Sequence, residues 1–337
     1  MTLIGEVRVI VWAITLPWFC GPLLQVSWAQ EQREPDGRAH TGAVEIQMRK
    51  VNFRLARDIV LEVRSLRGQL ERTNPEVPVT FDDGASFFVQ IDTAEVAITT
   101  ASLTALMNSY VLAYDGAPIK KVTVSIDGDR LIQKGTIHKG VDLPFEIEGS
   151  LSTTADGNIR VHADKVKAAH VPVKGLLHLL GEDLSKLVNQ NSARGMSIVG
   201  DDIILIPKTL TPPPHLEGRV TRVSIANGKI VQFFDSGRHA VALIPPFPSS
   251  AYIYHRSGIL RFGKLTMDDA DLEIVGDRPG VFEFFQHEYL KQLVAGYSKT
   301  TPANGLVAHM ADYSRFRPHT APPSRDRKPA MTGQGSH

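Results

Sequence analysis

The side chains most able to do chemistry fall in a few short stretches. The acidic run Asp268-Asp269-Ala270-Asp271-Leu272-Glu273 is the densest. On a strand Asp269, Asp271 and Glu273 share one face, and three carboxylates in reach of each other could hold Ca²⁺ or pass a proton. The same alternation, with Ala270, Leu272 and Ile274 inward, is that of a strand with a wet outer face. No glycine-turned calcium loop surrounds it, so solvated carboxylates are the expectation. His287-Glu288 opens like a zinc motif, but Lys291 stands where the second histidine must be. Gly195-Met196-Ser197-Ile198-Val199 lacks the second glycine of a nucleophile elbow. There is no G-x-G-x-x-G and no P-loop. The twelve histidines are scattered; His170 and His178 have no third ligand beside them. Turn chemistry accounts for Asp127-Gly128-Asp129 and Gly200-Asp201-Asp202. The cations Lys120, Lys121, Lys134, His138, Lys139, Lys165, Lys167 and Lys174 could converge on a phosphate. As solvated strand residues they need no function. The expectation is a protein that is not an enzyme and carries no metal and no cofactor.

What remains is apolar surface and the elements that position it. In Val171–Asn189, leucines 176, 180, 184 and 187 recur at helical spacing. Leu177, Leu179 and Val188 widen the stripe beyond the usual face. Asp183 projects inside that arc, and a break at Gly181 would let it cap a second short helix. A smaller helix is expected after Thr100 as N-cap, with Leu103, Leu106, Met107 and Tyr110 on one face.

The chain starts with Arg8 ahead of an apolar run, Val9 to Leu24, followed by Ser27-Trp28-Ala29. Small residues at Ser27 and Ala29 suit signal-peptidase cleavage, so residues 1–29 are expected to be a signal peptide and the protein periplasmic or secreted, or peripheral to a membrane. All three tryptophans and the one cysteine lie in this leader. The mature chain then has no disulfide, and its stability must come from a core. A net charge of +1 gives no field toward nucleic acid. From Arg315 onward the chain is basic and proline-rich.

Strand alternation marks Val44, Ile46 and Met48, then Val51, Phe53 and Leu55, then Ile59, Leu61 and Val63. Asp127-Gly128, Asp156-Gly157-Asn158 and Asn227-Gly228 read as hairpin turns of the I′ class. The expected class is α+β: one long, curved antiparallel β-meander wrapped on one or two helices. Residues 43–235 form the main domain. Residues 236–313 are a β-hairpin plus helix extension packed on it, with Phe282, Phe285, Tyr289 and Leu293 as a helical stripe. Residues 314–337 are a disordered tail.

Phe145-Glu146-Ile147-Glu148-Gly149, Asp156-Gly157-Asn158-Ile159-Arg160-Val161, Val171-Pro172-Val173 with Leu176-Leu177, and Leu216-Glu217-Gly218-Arg219-Val220 follow one another in an order that resembles a bacterial family. That family is the periplasmic phospholipid-binding proteins typified by lipomannan elongation factor, which are similar to the tubular lipid-binding (TULIP-like) fold. The resemblance covers roughly Val51 to Phe233 and rests on element order, so no binding residue carries over by position. It implies a curved half-barrel around a long helix and an apolar tunnel. The expected function is an exported, non-enzymatic carrier of phospholipid or another acyl-chain ligand. Its apolar lining would be Leu103, Leu106, Met107, Leu176, Leu180, Leu184 and Leu187. The alternative is an envelope scaffold or adaptor with a solid core that binds another protein. A third reading, an envelope hydrolase, would require a deep polar pocket with a perturbed carboxylate or histidine.

Overall fold

The computed structural model describes residues 42–139, 141–168, 194–238 and 241–316. The expected signal peptide, the Val171–Asn189 helix with Leu176, Leu180, Leu184 and Leu187, and most of the basic tail lie outside them. Arg315 is inside: its guanidinium meets Asp277 at 2.6 Å, closing a short turn over Tyr313–Phe316.

The fold is strand-rich, with a curled, mainly antiparallel half-barrel sheet and few helices. Strands β1 (Val44–Ala56), β2 (Ile59–Arg72) and β4 (Phe87–Thr99) are its backbone. The expected phase change between Met48 and Val51 falls at Lys50, whose φ is +51°. There the strand bends so that Ile46 and Met48 before it and Val51 and Phe53 after it are all buried. The partner answers at Arg64, where β2 and β4 slip register between Val63 and Ser65. Paired irregularities of this kind raise local twist and curl a sheet.

Lys50 is also where β1 changes its second neighbour. Glu45–Arg49 pair antiparallel with β14 (Tyr252–Arg256), whereas Val51–Arg54 pair parallel with β18 (Phe282–Phe285). β14 continues to β17 (Asp271–Gly276), β20 (Leu306–Met310) and the edge strand β19 (Tyr297–Thr300). On the other side β13 (Lys229–Asp235) pairs with β4 and carries β12 (Val220–Ala226). With β11 (His215–Glu217) parallel to β4, the sheet has eleven strands.

The meander does not run on as one sheet. Strands β5 (Ile119–Asp127), β6 (Arg130–Lys139), β7 (Val141–Thr153), β8 (Ile159–Ala168), β10 (Asp202–Leu205) and β9 (Met196–Val199) form a separate six-stranded sheet. A third, of three strands, joins β15 (Leu260–Phe262) to β16 (Leu265–Met267) and to β3 (Val79–Thr80).

Asn227-Gly228 is a I′ turn, with both residues at positive φ. At β5–β6 only Gly128 is positive and Asp127 pairs with Arg130, so the turn residues are Gly128-Asp129, the II′ pattern. Residues 154–158 make a longer loop, closed by the Thr154 N–H donating to the Asn158 carbonyl (2.9 Å). A β-carbon on its Gly157 (φ +81°) would sit 2.4 Å from Arg219, where the six-stranded sheet meets β12. The expected helical stripe from Phe282 begins as strand β18, because Phe282, Phe284 and Phe285 are buried against β1 and the core. After a 3-10 turn over Gln286–Glu288, the α-helix starts only at Tyr289.

Candidate functional site: an apolar seam between two sheets

Helix α1 (Thr100–Leu106) starts one residue before expectation. The cap is Thr99, whose hydroxyl accepts the Ser102 N–H at 3.1 Å. The helix runs into a single π turn, Met107–Val111. Its polar side is stitched to β5: the Val124 N–H donates to the Thr104 hydroxyl (2.9 Å). The Asn108 side chain accepts from the Val122 N–H (2.9 Å) and donates to the Val122 carbonyl (2.6 Å). A side-chain amide thus completes the strand where β5 bulges, between Lys120 and Thr123. These bonds fix α1 and the π turn along the free edge of β5 in the six-stranded sheet.

Leu103 and Leu106 then line an apolar cavity of about 50 Å³. The large sheet contributes Leu61, Val96, Ile98, Ile230 and Phe234; the six-stranded sheet contributes Leu131, Leu151, Ile159 and Leu205. The helical turn α2 (Pro207–Leu210) closes one side with Leu210. Thr211 and Gln232 are the polar residues of this lining. Met107 reaches a second, smaller space of about 20 Å³ with Phe145, Ile147, Met196 and Ile203. The three expected residues of the small helix therefore all border apolar space, although Met107 faces a different cavity from the other two. The strand residues facing them were not singled out in the sequence; their inward phase was the available signal.

The cations of the six-stranded sheet do not converge as a free patch. On its outer face Glu146 lies between Lys167 (2.9 Å) and Lys134 (3.0 Å). Lys167, then Lys134, hold its carboxyl below the usual carboxylate range. Glu148 takes Lys165 at 2.9 Å and Asp142 takes His138 at 2.7 Å. Cross-strand register puts a carboxylate opposite Lys134, His138, Lys165 and Lys167, whereas Lys120 lies opposite Thr136; Lys174 lies outside the described residues.

The acidic run also differs from expectation. Glu273 is fully buried, because residues 241–251 form a strap over the outer face of β14, β17 and β20. Its Oε2 accepts the Phe247 N–H at 2.7 Å, and Oε1 has no partner among the described residues. Burial pushes its carboxyl up to about 7, against the pull of the Phe247 N–H and with a further push from Asp271. Gln47 ties the strap a second time, donating to the Leu243 carbonyl and accepting its N–H, both at 3.0 Å. His309 packs edge-on to Phe247, and burial, then Lys299, lowers its pKa.

His255 is buried among Phe81 and the core, and burial lowers it to about 4, with Leu272's backbone pulling it back slightly. Glu288 is ion-paired to Lys291 (2.8 Å), which answers the zinc-like stretch. Among the described residues no group of three or more His, Cys, Asp or Glu side chains is placed to hold a metal ion. None of their helices is long and apolar enough to cross a membrane.

No family model matches the chain, and no curated protein and no solved structure matches it either.

Proposed function

We propose that the protein is an exported, non-enzymatic lipid-binding protein of the bacterial envelope, periplasmic or secreted, that takes a phospholipid or another acyl chain into the seam between its sheets. The observation that carries this reading is the make-up of the seam. Aliphatic and aromatic side chains from two sheets and α1 meet around space with almost no polar lining. Burying methylene groups there is favourable by about 0.8 kcal/mol each. In its finer form this is a TULIP-like wrap, with Leu176, Leu180, Leu184 and Leu187 of the expected helix as further lining.

A second reading, the envelope adaptor with a solid core, draws on the size of the same space. About 50 Å³ is far below the roughly 300–1,000 Å³ of ordinary ligand sites. Native mass spectrometry on protein purified from a lipid-containing host separates the two. A bound phospholipid mass, recovered again by solvent extraction, is expected. A clean apo mass with nothing extractable would leave the adaptor.

A further inference from the structure

At a second place, lined by none of the residues of the seam, apolar side chains are left open. Helix α3 (Tyr289–Val294), the turn between β15 and β16, and the end of the large sheet at β19 and β20 enclose a cleft of about 930 Å³ that opens to solvent. Leu265, Leu290 and Tyr297 line it while 45%, 46% and 53% exposed. Exposed large apolar residues gathered at one concave site call for an occupant, where single scattered ones do not.

Charge says what kind. Arg261 and Lys264 line the same cleft, and neither has an acidic partner among the described residues. The carboxylate in the lining, Asp82, already accepts the Gly263 N–H at 3.1 Å. That N–H is shared with the Tyr289 hydroxyl at 2.9 Å, and against this one carboxylate the two cations leave the lining with a net positive charge. A peptide would bring an amide donor and acceptor at every residue and need partners for each when buried. An amphiphile brings one polar end. The volume suits it too, at the upper end of the range for small-molecule sites.

We propose that this cleft binds a single-chain anionic amphiphile, its head against Arg261 and Lys264 and its chain against Leu265, Leu290 and Tyr297. The site lies apart from the interior seam and stands whether or not that seam takes lipid.

The test is calorimetric titration of the full chain with oleate and with a monoacyl glycerophosphate, both below their micellar concentrations. An uncharged monoacylglycerol of equal chain length serves as reference. At least one anionic probe is expected to saturate, about tenfold tighter than the reference, and to weaken with added salt; which one separates a carboxylate from a phosphate head. Lys264→Glu, on the turn, and the pair Arg261→Glu with Lys264→Glu should each weaken it, the pair by more than tenfold. Leu290→Asp should do the same through the chain. Circular dichroism checks that each variant is folded, and the exposed Lys264→Glu keeps the test open if another is not. Binding unchanged by all of these places the amphiphile elsewhere and overturns the proposal, leaving the interior reading intact. No saturable binding overturns it as well. So does a concentration-dependent dimer abolished by Leu290→Asp without lipid binding, which would make the cleft a surface for a second copy.

Discussion

The interior seam and the end cleft are built from the same residue types, yet one is nearly shut and the other open. Leucines and aromatics line both. In the seam, α1 is bound to β5 through Thr104 and Asn108, so the sheets close on it and leave about 50 Å³. At the cleft, α3 is short and the β15–β16 turn stops beside it without sealing, leaving about 930 Å³. Apolar composition therefore does not tell a core from a binding site; the polar ties of the flanking elements decide it.

The largest expected effect that probes this contrast is Leu106→Ala. Leu106 is 1% exposed, and truncating it enlarges a cavity that rigid ties keep from collapsing. A loss of about 2–5 kcal/mol in chemical denaturation is expected. A loss below about 1 kcal/mol would mean that the seam relaxes, as a lipid-admitting wall must.

Next come two buried titrating groups with opposite signs. The carboxyl of Glu273 rises from 4.5 to about 7, so its contribution is fully present below about pH 4.5 and is lost as pH rises through 7. His255 falls from 6.5 to about 4, so its contribution is present above 6.5 and is lost as pH falls toward 4. Each amounts to on the order of 3 kcal/mol, and between pH 4.5 and 6.5 the slopes oppose. Glu273→Gln should unmask a stability that climbs with pH across this window, and His255→Leu one that falls. Thermal melts at several pH values check it; parallel profiles for the parent and both variants would refute it.

At the cleft, Leu290→Ser should cost no more than about 1.5 kcal/mol, because nearly half of the residue is already exposed. A cost like that of Leu106 would show the cleft to be a filled core. Smallest of all, Glu146→Gln on the outer ladder should leave the melting temperature unmoved within error, since exposed pairs contribute little. A clear drop there would argue that charge, and not the seam, holds the six-stranded sheet together.

Local pattern carried much of the fold. The apolar phases at Val44, Ile46, Met48 and then Val51, Phe53, Leu55 contain the Lys50 bend, and Asn227-Gly228 dictates its own turn. What could not be read are facts about pairing. Lys134 and Lys167 are basic in sequence and neutralised by Glu146 only once β6, β7 and β8 are in register. Glu273 looked wet because alternation assumes one open face, and nothing near it announces that Phe247 will lie across it. Three of the seven expected lining residues, Leu103, Leu106 and Met107, border apolar space, since a capped helix with one apolar face must bury that face. The cleft was invisible because its walls come from residues around 80, 262, 290, 297 and 306.

The double partnership of β1 has a consequence for biogenesis. β2 follows it at once, but its other neighbours arrive only with residues 252–256 and 282–285, and Arg54 waits for Glu283, 229 positions later. During synthesis, the row of backbone donors and acceptors from Glu45 to Arg54 is a bare template for pairing with other chains. Long-range closure of this kind is slow. A chain clipped or stalled before residue 282 retains that template permanently, so truncation should show itself as aggregation.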